Sequence, residues 1–276
     1  MNSAVDVDSS RHETSSPPEA PAPPRRTNWG RTLSRGIGQT LITFGLVAML
    51  FVVYQLFVTN LFTIEHQHHL AQQIEQQWQD HPTVTAPQGS TTAAGPAPVL
   101  PAIKVSVGQP FAKVHIPRLG GDWVVVEGVS QKQLAQGPGH YIGTAMPGEQ
   151  GNFSVAGHAI SSVFLHLADL RPGDPIVVET QDYWFVYRVL GNPTTGSYDG
   201  DPSGIPGQEI VLPTGVQVIS PTPDKAANAP ATGDYLTLTT CTPATTATHR
   251  LIVHARLDGE PISKASMPAG PAALAG

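Results

Sequence analysis

The sequence predicts an all-β domain that follows a single membrane-spanning helix. Short runs rich in Val, Thr, Tyr and Trp recur between residues 105 and 261, and Gly or Pro residues separate them. Gly and Pro number 27 each in 276 residues, a composition that excludes a long coiled coil or a helical bundle. Nearer the N-terminus, residues 36–62 form one apolar run without a charged side chain.

The apolar run GIGQTLITFGLVAMLFVVYQLFVTNLF is long enough to cross a bilayer, which takes about 20 helical residues. Polar residues follow it without a small-residue cleavage site, so we expect an uncleaved anchor rather than a signal peptide. The next lysine or arginine after the run is Lys104. Arginines therefore cluster before the run, and no lysine or arginine follows it closely. This charge asymmetry disfavours a buried core helix, and it predicts a cytoplasmic N-terminus and an extracytoplasmic remainder. The basic residues that closely precede the run are Arg25, Arg26, Arg31 and Arg35.

Changes in composition divide the chain into five segments. After the anchor, Leu70, Ile74 and Trp78 repeat at helical spacing, and a Pro-, Thr-, Ala- and Gly-rich tether follows. We expect a disordered cytoplasmic tail at 1–35, the anchor at 36–62, a helical and extended stalk at 63–104, the β domain at 105–262 and a disordered tail at 263–276.

The β domain is long enough for one closed or nearly closed sheet, and the pattern alone fits a sandwich or a barrel. A short helix is expected near Ser162 to Leu170. The strand-like runs begin at Trp123, Asn152, Pro175, Tyr183, Gly215, Asp234 and Arg250.

Cys241 is the only cysteine, and it ends the strand-like run TLTTC. Arg250 begins another such run nine residues later, so a strand–loop–strand would bring the two residues together. Alternation places Leu236 and Leu238 on the opposite face from Cys241. A cation beside the thiol favours the thiolate, which is the nucleophilic form. The alternative is that Cys241 is a small buried apolar residue.

A cysteine nucleophile also needs an imidazole. His158 is the best candidate, because it follows the run NFSVAG and a small-residue turn that would project its ring at a strand end. The alternative is a surface or capping histidine. The competing histidines are His115, His140, His166, His249 and His254.

Charge and cysteine content exclude several classes of function. A net charge of −6 gives no electrostatic basis for nucleic-acid binding. One cysteine excludes a disulfide framework and a multi-cysteine zinc site. His66, His68 and His69 lie together without an evident fourth ligand, and no clear acidic cluster suggests calcium. We therefore expect no metal and no cofactor.

These motifs resemble those of the sortases, and in particular the class E sortases of actinobacteria. Sortases carry a TLxTC strand, an arginine about nine residues later, and a Gly-His pair after an upstream strand. Here these are YLTLTTC at 235–241, Arg250 and GNFSVAGH ending at His158. The stretches IPRLGGDWVVVEGVS at 116–130 and GPGHYIGTAMPGEQGN at 137–152 resemble class E. The five motifs occur in the family's order across the whole β domain.

The resemblance implies a transpeptidase on an eight-stranded sortase β-barrel. By motif, Cys241 would attack the Thr carbonyl of a C-terminal sorting signal of LAxTG or LPxTG type and form a thioacyl enzyme. His158 would protonate the departing glycine amine, and Arg250 would hold the substrate and stabilise the oxyanion. Thr240 and Tyr141 match positions that contact substrate.

The implied partners are secreted proteins with a sorting signal, an amine of a peptidoglycan precursor, and the membrane through the N-terminal helix. One alternative is a pilin-polymerising sortase, in which a pilin lysine supplies the amine. Another is a catalytically idle, membrane-tethered binding module, which the intact Cys241, His158 and Arg250 disfavour. A third is an L,D-transpeptidase, a family with Arg two residues after the Cys, where Pro243 stands here.

Overall fold

The structure is a computed structural model that describes residues 29–80, 100–160 and 162–276. Residues 1–28 of the expected cytoplasmic tail and 81–99 of the expected tether lie outside the described residues. The chain from Val53 to Gly276 forms one compact unit.

The N-terminal helix, α1, runs from Trp29 to Asp80 and contains the expected anchor. Its stretch Gly36–Tyr54 has a mean hydropathy of 2.0, and none of it is buried. That stretch is long and apolar enough to cross a membrane.

Ten strands follow, most of them rich in β-branched and aromatic residues. They are β1 Pro110–Ile116, β2 Gly121–Glu127, β3 Gly139–His140, β4 Gly151–Ala156, β5 Pro175–Glu179, β6 Tyr183–Val189, β7 Gln208–Val211, β8 Asp234–Thr242, β9 His249–Leu257 and β10 Ile262–Ser263. The helices between and after them are short. They are α2 Gln131–Leu134 and the 3₁₀ helices Pro117–Leu119, Leu167–Asp169, Val216–Ile219 and Ala272–Ala275.

Eight of these strands close into a barrel, which confirms the predicted fold class. Their order is β6-β5-β1-β2-β3-β4-β8-β9, and β9 pairs back to β6. The pairs β2–β3 and β4–β8 are parallel, and the other pairs are antiparallel. Outside the ring, β7 pairs with the first half of β9, and β10 pairs with β6.

The core fills the inside of the barrel with alternate side chains from each strand. Phe153, Leu236, Leu238 and Val253 are among its fully buried members. Tyr235, Thr237 and Thr239 of β8 face outward and are nevertheless buried, because the connection from β7 to β8 covers them.

The run GVQVIS is not a strand, contrary to the prediction. Val216–Ile219 form a 3₁₀ helix after Gly215. Pro213 and Pro221 flank the run, and a proline cannot donate to a sheet ladder. Conversely, β1 and β7 were not among the predicted strands, because Lys113 and His115 interrupt one run and the other has only four residues.

The first part of the predicted stalk packs on the barrel. Leu70 and Ile74 of α1 are buried against Val124 and Val126 of β2. The side chain of Gln67 accepts a hydrogen bond from Val124 N at 2.8 Å and donates one to Val124 O at 3.2 Å. This part of α1 therefore covers the outward apolar face of β2.

The C-terminal segment 263–276 packs on the barrel, whereas the sequence suggests a disordered tail. Leu274 packs against Val177 and Trp184, and the Trp184 indole donates a hydrogen bond to Met267 O at 3.1 Å. Lys264 Nζ donates to Glu179 at 2.6 Å. The Ala- and Pro-rich tail has too few apolar residues for a core of its own, but it covers the outward apolar face of β5 and β6.

Ile74→Ala should destabilise the folded chain by about 2–4 kcal/mol, because it leaves a cavity where a fully buried side chain meets β2. A lower thermal midpoint in detergent would show this. Gln76→Ala, on the exposed side of the same helix, is the matched control. Equal midpoints for the two variants would contradict the packing described.

Candidate active site

Cys241 and Arg250 are direct cross-strand neighbours. β8 and β9 are antiparallel, and their register pairs Cys241 with Arg250 and Thr239 with Ile252. Paired residues share a face of the sheet, so the thiol and the guanidinium lie on the outer face of the barrel wall. Cys241 is partly exposed rather than buried in the core.

The loop between β8 and β9 holds the guanidinium at the start of β9. Arg250 Nη1 donates hydrogen bonds to Ala247 O at 3.0 Å and to His249 O at 2.9 Å. Ala247 N donates to Pro243 O at 2.8 Å, so the loop folds back towards the Cys241 end of β8.

His158 follows the strand on the other side of β8. β4 runs parallel to β8 with Ala156 paired to Thr239, and Gly157 N donates to Thr239 O at 2.9 Å. His158 and Cys241 each stand two residues beyond that pair, at the same end of adjoining strands. The ring is half-buried, and burial lowers the pKa of His158 below its ordinary value.

Thr240 is buried, and its hydroxyl donates to Gly157 O at 2.8 Å. Thr240 therefore links β8, which carries Cys241, to the segment that carries His158. Its role as a substrate contact stays a prediction.

Tyr141 lies in a small cleft beside these residues. Its hydroxyl is 3.0 Å from Thr239 Oγ1. The cleft has a volume of about 100 Å³, and Arg250 lies at its lining together with Tyr141. Mostly apolar side chains complete the lining: Val211, Leu212, Pro213, Val216, Val218, Ile219 and Ile252.

A buried pair holds the segment that carries Tyr141, and the sequence analysis did not assign it. His140 Nδ1 is 2.7 Å from Glu127 Oε2, and its ring stacks on Phe153 with centroids 5.2 Å apart. Thr144 Oγ1 lies 2.9 Å from His140 Nε2 and donates to Tyr141 O at 2.8 Å. His140 is therefore fully engaged and fully buried, which removes it as a rival to His158.

Two other rivals are also engaged elsewhere. His115 lies between Asp122 and Glu179 at 2.7 and 3.1 Å. His254 is fully buried and bonded to Thr237 at 2.9 Å. Both lie on strands other than the one that leads to His158.

The site is thus a thiol and a guanidinium on one hairpin, with an imidazole following the neighbouring parallel strand, on a closed eight-stranded barrel. This is the architecture of a sortase-type transpeptidase. Residues 114–258 match the sortase domain profile of that family.

Relatives agree with this match. The chain is 36% identical over 233 residues to Sortase SrtE1 of Streptomyces coelicolor, covering 81% of this chain and 57% of that protein. It is 33% identical over 232 residues to Sortase SrtE2 of the same organism, covering 80% of each. The chain therefore spans little more than half the length of the first relative. It belongs to the sortase family and resembles the class E members.

Solved structures give the same result. The SrtF sortase from Corynebacterium diphtheriae superposes with a TM-score of 0.57 at 32% identity, over 67% of this chain and all of that one. Sortase E1 from Streptomyces coelicolor, solved with a tripeptide in its active site, superposes with a TM-score of 0.50 at 36% identity, over 62% of this chain and 99% of that one.

Because burial lowers the pKa of His158, the neutral form of its ring should predominate at neutral pH. In an NMR titration of the full chain in detergent, the ring resonance that disappears in His158→Gln should have its midpoint below ~6.5, the ordinary value for histidine. A midpoint at or above that value would show that burial does not determine the pKa of the His158 ring.

Proposed function

We propose that the chain is a membrane-anchored cysteine transpeptidase. It cleaves a C-terminal sorting signal of LAxTG or LPxTG type between Thr and Gly, and it transfers the protein to an amine of cell-wall peptidoglycan. The pairing of Cys241 with Arg250, beside the strand that leads to His158, carries the proposal.

The first half-reaction forms a thioester. The Cys241 thiolate attacks the Thr carbonyl carbon, and the developing oxyanion receives hydrogen bonds from the Arg250 guanidinium. The bond from carbonyl carbon to glycine nitrogen breaks as the His158 imidazolium gives its proton to that nitrogen. The peptide beyond Thr leaves as a free amine.

The second half-reaction reverses these roles. The acceptor amine attacks the thioester, and the neutral His158 ring takes a proton from it. The carbon–sulfur bond breaks and returns the thiolate. Because burial lowers the pKa of His158, the ring is ready for this base role at neutral pH, but the imidazolium needed earlier is a minority form. We therefore expect slow turnover.

We infer that part of the peptide substrate lies in the cleft lined by Arg250, the cross-strand partner of Cys241. Apolar side chains line it, and Arg250 at its edge offers donors to peptide carbonyls. Tyr141 also lines the cleft, and we infer that it contacts the sorting signal there. The tripeptide in the active site of Streptomyces coelicolor sortase E1 is consistent with this use.

The stretch Gly36–Tyr54 supports a membrane location. Basic residues precede it, and this asymmetry favours a cytoplasmic N-terminus and a barrel outside the cell; these residues are Arg25, Arg26, Arg31 and Arg35. The boundaries expected for the anchor and the catalytic domain, 36–62 and 105–262, form part of this proposal.

Cys241→Ala should abolish ligation of an LAxTG peptide to a small amine, a loss of at least about a thousandfold, since no thioester can form. Mass spectrometry of the Thr–amine product by the full chain in detergent measures this. Cys241→Ser, which keeps the shape of the side chain, should be nearly as inactive. Product formation by Cys241→Ala would exclude the thiol as nucleophile.

Running the same assay with triglycine and with a lysine-containing peptide separates two acceptors. Preference for the lysine side chain would favour pilin polymerisation over cell-wall anchoring. No ligation with either amine by the folded wild-type chain would favour a binding module.

Arg250→Lys should lower kcat/KM by about 10²–10³-fold, because a single ammonium cannot reproduce the fork of donors of the guanidinium. Arg256→Lys makes the same change on the exposed part of the same strand and is the matched control. An Arg250→Lys enzyme as active as Arg256→Lys would remove Arg250 from the mechanism.

A further inference from the structure

A second cluster of chemically active side chains lies where the β7–β8 connection covers β9. It consists of Glu209 of β7, Asp224 of the connection and His254 of β9. Their donor atoms all lie within 4.8 Å of one another. His254 is fully buried, and the two carboxyl groups are partly buried.

A chain of hydrogen bonds fixes the proton on one ring nitrogen of His254. The Asn152 amide donates to Val218 O and Ser220 O at 3.1 and 3.0 Å, which makes its Oδ1 an acceptor. Thr237 Oγ1 therefore donates to Asn152 Oδ1, at 2.8 Å. The same hydroxyl must then accept from His254 Nδ1, at 2.9 Å. Nε2 is left to face the cluster.

Two carboxyl groups lie against this nitrogen. His254 Nε2 is 3.3 Å from Glu209 Oε1 and 3.9 Å from Asp224 Oδ2. The carboxylate oxygens that face this nitrogen also lie within 4.8 Å of each other. Two carboxylates and a nitrogen lone pair repel one another unless protons or a cation lie between them.

We propose that Glu209, Asp224 and His254 bind a divalent transition-metal ion, with Zn²⁺ as the best match. The proposal does not depend on the transpeptidase function. It differs from the expectation of no metal, which rested on the absence of a visible ligand cluster in the sequence. Glu209, Asp224 and His254 are far apart in the chain and come together only in the fold.

The geometry and the donor types fit this ion. Donors at ~2.0–2.1 Å from a tetrahedral Zn²⁺ lie about 3.4 Å from one another, close to the separations of 3.3 and 3.9 Å here. A metal-bound histidine donates its other N–H to a fixed acceptor, as Nδ1 does to Thr237. An imidazole nitrogen disfavours Ca²⁺ and Mg²⁺, which prefer oxygen ligands.

An ion here would tie the wall of the substrate cleft to the barrel. The cleft residues Val211 to Ile219 lie in the chain between Glu209 and Asp224. Binding should therefore slow backbone hydrogen exchange in this segment.

Isothermal titration of the chelator-treated full chain with Zn²⁺, in detergent, tests the site. The protein carries Cys241→Ser, His66→Gln, His68→Gln and His69→Gln, because the thiol and the exposed histidines could bind zinc elsewhere. One equivalent should bind with a micromolar or tighter Kd, and more tightly at pH 7.5 than at pH 5.5, because protons compete for the donors.

Adding Glu209→Gln to this background should weaken binding at least tenfold, whereas Asp199→Asn, the same kind of charge change at an exposed position, should not alter it. Thr237→Val, which keeps all three ligands but removes the acceptor of Nδ1–H together with the hydrogen bond to Asn152, should weaken binding about 10–100-fold. Circular dichroism establishes that each variant is folded.

Three results would overturn the proposal. They are no Zn²⁺ uptake at tenfold excess, a Kd unchanged by Glu209→Gln in a folded protein, and uptake of Ca²⁺ in preference to Zn²⁺. The first would mean that protons alone occupy the space between the three donors.

Discussion

The backbone ladder on both edges of β8 is the constraint on which the rest of the site depends. One edge pairs in antiparallel register with β9, which sets Cys241 opposite Arg250. The other edge pairs in parallel with β4, which brings the segment after Ala156 to the same end. If β8 slipped by one residue against its neighbours, its side chains would turn to the opposite face of the sheet, and the Cys241 thiol would point into the core.

The outer face of β8 and β9 carries polar side chains that are nonetheless buried, and this has an energetic cost. Thr237 and Thr239 have each lost water, and each hydroxyl has gained a partner in return, Asn152 for one and Tyr141 for the other. The β7–β8 connection thus both forms the cleft and makes these hydrogen bonds necessary. The hydrogen bond to buried Thr239 also fixes the position of the Tyr141 side chain.

The sequence predicted the contacts between residues close in the chain, but not those between residues far apart in it. The Cys241–Arg250 pair could be predicted because one hairpin and a two-residue alternation determine it. The neighbouring position of His158 could not, since parallel pairing of β4 with β8 joins segments far apart in the chain, and only the family resemblance suggested it. The packed C-terminal segment and the 3₁₀ helix at Val216–Ile219 were missed for a related reason. Local composition does not determine the conformation of either segment, because each conformation depends on the surface against which the segment packs.

Arg250, Ile252 and His254 alternate along one strand and share its outward face, so the candidate active site and the histidine cluster are built on the same short stretch of β9. β7 pairs edge to edge with that stretch, and the register sets Glu209 beside Ile252 and Val211 beside Arg250. A displacement of β7 would therefore alter the Arg250 end of the cleft and the Glu209–His254 contact together. Because a paired strand moves as a unit, whatever fixes Glu209 against His254 also fixes the wall against which a peptide would lie.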